Sequence, residues 1–505
     1  METDRHSYFP TTSPFHFRIP NYRAQYYSHG GQLRPNKHQR PPRPVPGPGP
    51  HQPAAPVRQA ARQPLRRPVH PRGDPLRRQL HQADPELGAR RRLLRRLRRR
   101  RARGGGGGGG GGGGLGAPYY ERLESAGSET LDALLASESE QGRPVRVVVY
   151  DAFLPWARRV ARRRGAACAA FLTQTCAVDI LYAHAWAGRV PPPPLLRPED
   201  VRGLDGLSCR LEMGDLPTFL TDASYPPSFR ELLVNQFLGL DDAEHVLVNS
   251  FYELEPQEAD YMASTLRAKM VGPTVPSAFL DNRLPDDVSY GIHLHTPMVA
   301  ECKAWLDAQL TQSVLYVSFG SMASLGPDQM SEVAEGLYGS GKPFLWVVRA
   351  TETAKLPEGF ADKAKATGLI VPWCPQLEVL AHPSVGCFMT HCGWNSTVEA
   401  LSAGVPMVAM PNWSDQTTNA KYIQDVWRVG VRVRPDANGV VRSEEVERRV
   451  REVMEGEMRE GFRMRALEWS KKAKKSMSEG GTSDTNISDF LSSFRRNTTC
   501  ATQAN

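Results

Sequence analysis

Forty-four residues, from Trp373 to Gln416, concentrate side chains of the kinds that hold a phosphorylated sugar. They include Trp373, Cys374, Pro375 and Gln376, then His391, Cys392, Gly393, Trp394, Asn395 and Ser396, then Glu399, and last Asp415 and Gln416. The central piece follows a strand pattern and opens a helical one. A helix N-terminus with exposed N–H groups and a glycine beside it favours a phosphate group. Ser396 followed three residues later by Glu399 is a capping-box pattern. Trp373 offers a flat face for a nucleobase. Glu399 can accept from a ribose diol, and Asp415 and Gln416 can accept from and donate to sugar hydroxyls. The set suits a nucleoside diphosphate-sugar.

Each member also has a plainer reading. Glu399 alone is a cap residue, and Trp373 alone is core. His391 and Cys392 are adjacent and lack a partner pair, which does not make a metal site. Val317–Ser321 is a strand running into a small-residue turn.

The elements that must position these residues alternate between strand and helix. Val145–Tyr150 reads as a buried strand closing on Asp151, Phe153–Arg164 as a helix, Ala167–Phe171 as a strand, Ala177–Ala187 as a helix and His245–Asn249 as a strand. Residues 272–300 hold several prolines and little periodicity, so the interdomain linker is placed there, between domains at 118–271 and 301–480. The second domain has strands at Val314–Ser318, Phe344–Val348, Leu369–Val371, Gly386–Met389 and Met407–Met410. Its helices include Pro327–Tyr338, Gln416–Val426, Ser443–Met454 and Arg459–Ser476. A last helix, Ser483–Phe494, lies in the tail 481–505, with Ser483 as its N-cap. This alternation is the pattern of parallel α/β sheets, here two open Rossmann-like domains facing each other.

Composition divides the chain differently. Of its 63 Lys and Arg and 54 Asp and Glu, residues 1–117 hold 24 and 5, leaving 39 and 49 for the rest. The basic balance therefore belongs to the N-terminal tract alone, and the acidic remainder gives no reason to expect nucleic acid. The tract contains Arg90–Arg103 and eleven consecutive glycines, Gly104–Gly114. It has too little apolar surface to offset its ordering entropy and is expected to be disordered. Eight scattered cysteines with no C-x-x-C pair read as a cytoplasmic enzyme. No apolar run approaches a membrane span.

The segment Trp373–Gln416 closely resembles the signature of plant secondary-product glycosyltransferases, at its full length. The resemblance extends over residues 118–505 and is to the plant family 1 UDP-glycosyltransferases, nearest those that glucosylate small acids and phenols. It implies a GT-B fold and a UDP-sugar in the C-terminal domain, with no metal or other cofactor. By motif, Trp373 stacks on uracil, with Cys374 beside it, and Gln376 and Glu399 hold the ribose side. His391, Gly393, Trp394, Asn395, Ser396 and Ser321 line the diphosphate, and Asp415 and Gln416 hold the sugar. Gln416 at the last motif position resembles glucose users rather than galactose users. The implied partners are a UDP-sugar and a small-molecule acceptor (a hormone acid, phenol or flavonoid), and the implied state is a monomer.

The resemblance also implies an N-terminal His that takes a proton from the acceptor hydroxyl, oriented by an Asp. Asp151, at the carboxyl end of its strand, matches the Asp. The His should sit in a Gly-His-Ile-Asn-Pro-like turn after a first strand, and no such turn exists in the sequence. His51 is followed by Gln52 and Pro53 with no strand before it. Two readings stand: an inverting UDP-glucosyltransferase, or a catalytically defective nucleotide-sugar-binding remnant with an incomplete N-terminal domain.

The genetic code supplies a reason for the gap. Arg40–Ala60, written in GC-rich codons and read one nucleotide later, permits Val-Leu-Leu-Val-Pro-Tyr-Pro-Gly-Gln-Gly-His-Ile-Asn-Pro-Leu-Leu-Gln-Phe-Gly-Lys. Arg66–Arg77 likewise permits Gly-Val-Arg-Cys-Thr-Leu-Ala-Val-Thr-Arg-Phe-Val. These are an apolar strand with the missing turn, then a second strand, in family order. Residues from about 40 to 117 are therefore expected to be an out-of-frame translation. Sequencing the transcript should return a shifted frame there. An in-frame message for Arg40–Ala60, with no near-identical in-frame copy, would overturn this.

Overall fold

A computed structural model describes residues 117–291 and 296–501. The expectations for the basic tract, His51 and the shifted-frame strings lie outside the described residues. All described residues belong to one compact unit.

The chain enters through helix α1 (Ala117–Glu140), which packs on α2 (Trp156–Arg163). Between them runs β1 (Val147–Asp151), so Asp151 is the last strand residue rather than the first beyond it. Helix α2 begins three residues later than its sequence pattern suggests. Asp151 Oδ1 accepts the Phe153 N–H at 3.0 Å and the Asp151 carbonyl accepts from Leu154 at 2.8 Å, which makes a turn that Pro155 ends. Then follow β2 (Ala167–Leu172), α3 (Cys176–Trp186), β3 (His245–Val248) and β4 (Ala268–Met270). The four strands form a parallel sheet in the order β1-β2-β3-β4. Among the described residues β1 and β4 are its edge strands.

The second sheet is parallel and six-stranded, in the order β10-β9-β8-β5-β6-β7. Its strands are β5 (Val314–Ser318), β6 (Phe344–Val347), β7 (Gly368–Val371), β8 (Val385–Thr390), β9 (Met407–Ala409) and β10 (Gly430–Arg432). Its core gathers Leu315, Val317, Phe344, Trp346, Met389 and Val408. Continuous apolar runs suit strands covered on both faces, which is why these were legible. The sequence pattern did not reveal β4 and β10, each only three residues long.

The helices of this half include α4 (Pro327–Gly339), α5 (Trp394–Ala403), α6 (Gln416–Lys421), α7 (Ser443–Met454), α8 (Arg459–Met477) and α9 (Thr482–Ala501). Helix α6 continues as a wider π-type turn, Tyr422–Val426.

Helix α9 crosses back to the first sheet. It starts at Thr482, so Ser483 is not its N-cap but lies in its first turn. Ser483 Oγ instead donates to the Gly272 carbonyl at 2.6 Å, and Asn486 Nδ2 donates to the Met270 carbonyl at 2.9 Å. Phe490 is buried and meets the His245 ring edge-on at 5.0 Å. The C-terminal helix thus covers the outer end of the N-terminal sheet. Phe490→Ala should cost about 3–5 kcal/mol, measured as a lowered midpoint in urea unfolding.

Candidate functional site

The site grows from the carboxyl end of β8. After Thr390 the chain turns through Cys392, whose φ of 66° is costly for a side-chain-bearing residue. The Cys392 N–H donates to Thr390 Oγ1 at 3.2 Å, and Asn419 Nδ2 donates to the Cys392 carbonyl at 2.9 Å. The reversal sets the first turn of α5, with Gly393 as its N-cap and so no capping side chain at that position, and the Asp415 carboxylate accepts the Trp394 N–H. The capping box expected at Ser396 and Glu399 is therefore absent. Both residues lie inside the helix, and their side chains are free to bond elsewhere.

The His391 ring is gripped by two glycines. A Cβ at Gly320 would lie 2.7 Å from the ring, and one at Gly393 2.5 Å from it. Gly320 also needs its freedom for a φ of 74°. Burial pushes the His391 pKa down to about 4, so the imidazole is neutral at pH 7. It can take part as a hydrogen-bonding group, not as a cation. Ser321 and Asn395 are exposed at the same end. Arg349 supplies a positive charge near His391 and donates to the Gly320 carbonyl at 3.3 Å. No sequence pattern marked Arg349, which lies beyond β6 and reaches the site only through sheet order.

Tyr316, Gln376, Ser396, Glu399 and Tyr290 form one hydrogen-bonded chain. Gln376 Nε2 donates to Glu399 Oε2 at 2.6 Å and to Ser396 Oγ at 3.0 Å. The Tyr316 hydroxyl, from β5, donates to Gln376 Oε1 at 2.9 Å and lies 3.3 Å from Cys374 Sγ. Cys374 is buried, so it supports this chain from behind. Tyr290 donates to Glu399 Oε1 at 2.6 Å. Burial raises the Glu399 pKa, opposed by the Gln376 and Tyr290 bonds. Trp373 is half-buried, and its carbonyl accepts the Met298 N–H at 3.1 Å. Tyr316 and Tyr290 were missed in the sequence, since neither falls within the 44-residue segment.

Asp415 and Gln416 sit at the start of α6. Gln416 Oε1 accepts the Asn412 and Trp413 N–H groups at 2.9 and 3.0 Å, which fixes its amide nitrogen as the end left to donate. Asp415 accepts from Asn419 Nδ2 at 2.7 Å, and burial raises its pKa to about 6. The loop before it is stitched to the other half of the molecule. Ser414 N donates to Thr218 Oγ1 at 2.8 Å, and Thr218 N donates to the Ser414 carbonyl at 3.0 Å. Trp394 faces the same seam: its indole N–H is buried and donates to the Asn249 carbonyl at 2.7 Å. The Trp394 side chain therefore serves the contact between the sheets.

Asp151 lies on the first-sheet side. Burial raises its pKa to about 6, opposed by the Phe153 N–H. No basic side chain pairs with it among the described residues. Asp179, on α3, is fully buried, and neither carboxylate oxygen has a partner. Gln174 Oε1 is likewise unpartnered. Asp179 feels the charges of Glu255, Asp415 and Asp151, and burial first, then these charges, holds its pKa well above the usual range. Among the described residues, no three His, Cys, Asp or Glu side chains are grouped to hold a metal ion.

The family described as UDP-glucoronosyl and UDP-glucosyl transferase matches residues 262–468. The chain is 51% identical over 380 residues to UDP-glucosyltransferase UGT13248 of Hordeum vulgare subsp. vulgare, covering 75% of this chain and 79% of that protein. It is 45% identical over 376 residues to UDP-glycosyltransferase 74E2 of Arabidopsis thaliana, covering 74% and 83%. The crystal structure of Os79 from O. sativa in complex with UDP superposes with a TM-score of 0.72 at 50% identity, over 75% of this chain and 84% of that one.

The orphaned Asp179 has a pH signature. Burial holds its folded pKa well above the unfolded value of 3.8, so folding at neutral pH carries the cost of burying the unpaired carboxylate or of protonating it. That cost is present at neutral pH and disappears as pH falls through the unfolded value. Asp179→Asn should raise the thermal midpoint at pH 7 by about 3 °C or more. The gain should shrink toward pH 4, and equal midpoints at pH 7 would contradict the assignment.

Proposed function

The chain belongs to the UDP-glycosyltransferase family, and on that premise we propose that it moves glucose from UDP-glucose to a hydroxyl or carboxyl of a small plant metabolite, with inversion. The observation that carries this reading is the joined Gln376–Ser396–Glu399 chain beside a helix N-terminus whose N-cap is the glycine Gly393. It offers acceptors for a ribose diol and N–H groups for a diphosphate within one structural unit. His391, Asn395 and Ser321 border the diphosphate end. The Gln416 amide and the Asp415 carboxylate address the sugar hydroxyls, and Trp373 the base. No metal is required in this reading, because helix N–H groups and nearby Arg349 meet the negative charge of the leaving UDP. The cytoplasm and a monomeric state fit it.

In such a transfer the acceptor oxygen attacks the anomeric carbon, the bond from that carbon to UDP breaks, and the acceptor proton must go to a base. Asp151 is the orienting carboxylate of that base in the family pattern. A second reading, a donor-binding protein with a defective acceptor half, is favoured by specific observations. Among the described residues β1 has a bare outer edge, Asp151 has no basic partner, and Asp179, which feels the Asp151 charge, has neither carboxylate oxygen met. A doubly wound sheet places its first strand centrally, next to such an edge.

We infer that the missing strand and base are encoded in the shifted frame of residues 40–117. A quarter of this chain and about a fifth of the barley relative find no counterpart in each other, which suits one replaced segment. The purified chain should bind UDP yet turn over hydroxyl acceptors about 10²–10⁴-fold more slowly than its frame-corrected version, the usual contribution of a general base. Carboxylic acid acceptors, already ionised at pH 7, should lose less. A liquid-chromatography assay with UDP-glucose measures both. Equal turnover of the two versions would remove the defective reading.

A further inference from the structure

Both oxygens of the Glu399 carboxylate are taken by protein donors, and the two donors differ in kind. Gln376 Nε2 is fixed from behind by Tyr316, inside the C-terminal half. Tyr290 arrives from a segment 109 residues earlier in sequence, and its ring is partly exposed while its hydroxyl end is buried against Glu399. The segment that carries Tyr290 is anchored at its base: Asp287 Oδ2 accepts the Ser277 N–H at 3.0 Å, and Arg283 donates to Asp484 Oδ1 at 2.9 Å. Val288 and Gly291 are exposed on either side of Tyr290. The tip is thus held to the donor site through its bond to Glu399.

We propose that the Tyr290 hydroxyl is a built-in competitor for the ribose diol. This rests on the reading of Glu399 as the ribose acceptor. A phenol O–H on a carboxylate is chemically the same contact as a ribose O–H on that carboxylate, a charge-assisted bond in each case. With Tyr290 seated, a nucleotide exchanges one such bond for another and gains little at that oxygen. The device holds Glu399 satisfied between turnovers, so that a buried carboxylate is never left bare. It also weakens the grip on the product UDP, which must leave before the next donor enters.

Isothermal titration of the full chain with UDP and with 2′,3′-dideoxyuridine diphosphate tests this. Tyr290→Phe should bind UDP about tenfold more tightly than the parent chain, the worth of one freed hydrogen bond to a charged group. The dideoxy compound, which has no hydroxyl to offer Glu399, should bind both proteins equally. Glu399→Gln should weaken UDP and leave the dideoxy compound nearly unchanged. Unchanged or weaker UDP binding by Tyr290→Phe overturns the competition, as does an equal gain for the dideoxy compound. If Glu399→Gln does not discriminate between the two ligands, the ribose assignment itself fails and the competitor with it.

Discussion

The Trp394 indole donates to the Asn249 carbonyl across the seam between the two sheets, at 2.7 Å and shielded from water. Trp394 is also the first residue of the helix whose N-terminus faces the cleft. One side chain therefore fixes the donor helix against the end of β3, and with it the relation of Asp415 and Gln416 to the first sheet. Neighbouring bonds share the task. Trp427 donates to the Leu254 carbonyl at 3.3 Å, Tyr422 to Glu258 at 2.6 Å, and Thr418 to the Asp215 carbonyl at 2.6 Å. Loss of such a donor leaves a buried carbonyl or carboxylate unpaired, which costs more than a surface contact of equal length.

The seam brings together carboxylates that water would keep apart. Asp151 and Asp179 come from the first sheet and its α3 helix, Asp415 from the second, and burial raises the pKa of each. An environment that favours uncharged or protonated carboxyls suits a site that must pass a proton and bind neutral sugar hydroxyls. The same environment destabilises the fold at neutral pH wherever a carboxylate lacks a donor, as at Asp179. Donor and acceptor halves differ in this respect. Around Glu399 every oxygen is met, whereas around Asp179 none is.

Within the donor half, strain and satisfaction go together. Cys392 and Ser414 hold positive φ values of 66° and 61° in the two loops that face the cleft. Asn419 offsets both distortions: its amide bonds the Cys392 carbonyl and the Asp415 carboxylate from a single position. Nothing in the residue type of Asn419 announces this, since an asparagine on a helix is most often solvated.

The sequence by itself determined the parallel α/β class, because covered strands must be continuous apolar runs and their crossovers amphipathic helices. It also grouped Trp373 to Gln416 as candidates for one site, because their chemistry is local to two strand-end turns. It holds no Gly-His turn of the family pattern, which left the expected partner of Asp151 without a candidate. Only the tertiary structure decided which partners those side chains keep. Tyr316, Arg349, Asn249 and Tyr290 join the site from distant segments, and hydrogen bonding across sheets has no sequence period. It likewise turned Trp394 into the seam, moved Ser396 and Glu399 from a cap to a hydrogen-bonded chain with Gln376, and sent the last helix back to cover β4. Each of these depends on which strands lie side by side, and strand order is fixed by burial over the whole chain rather than by any local pattern.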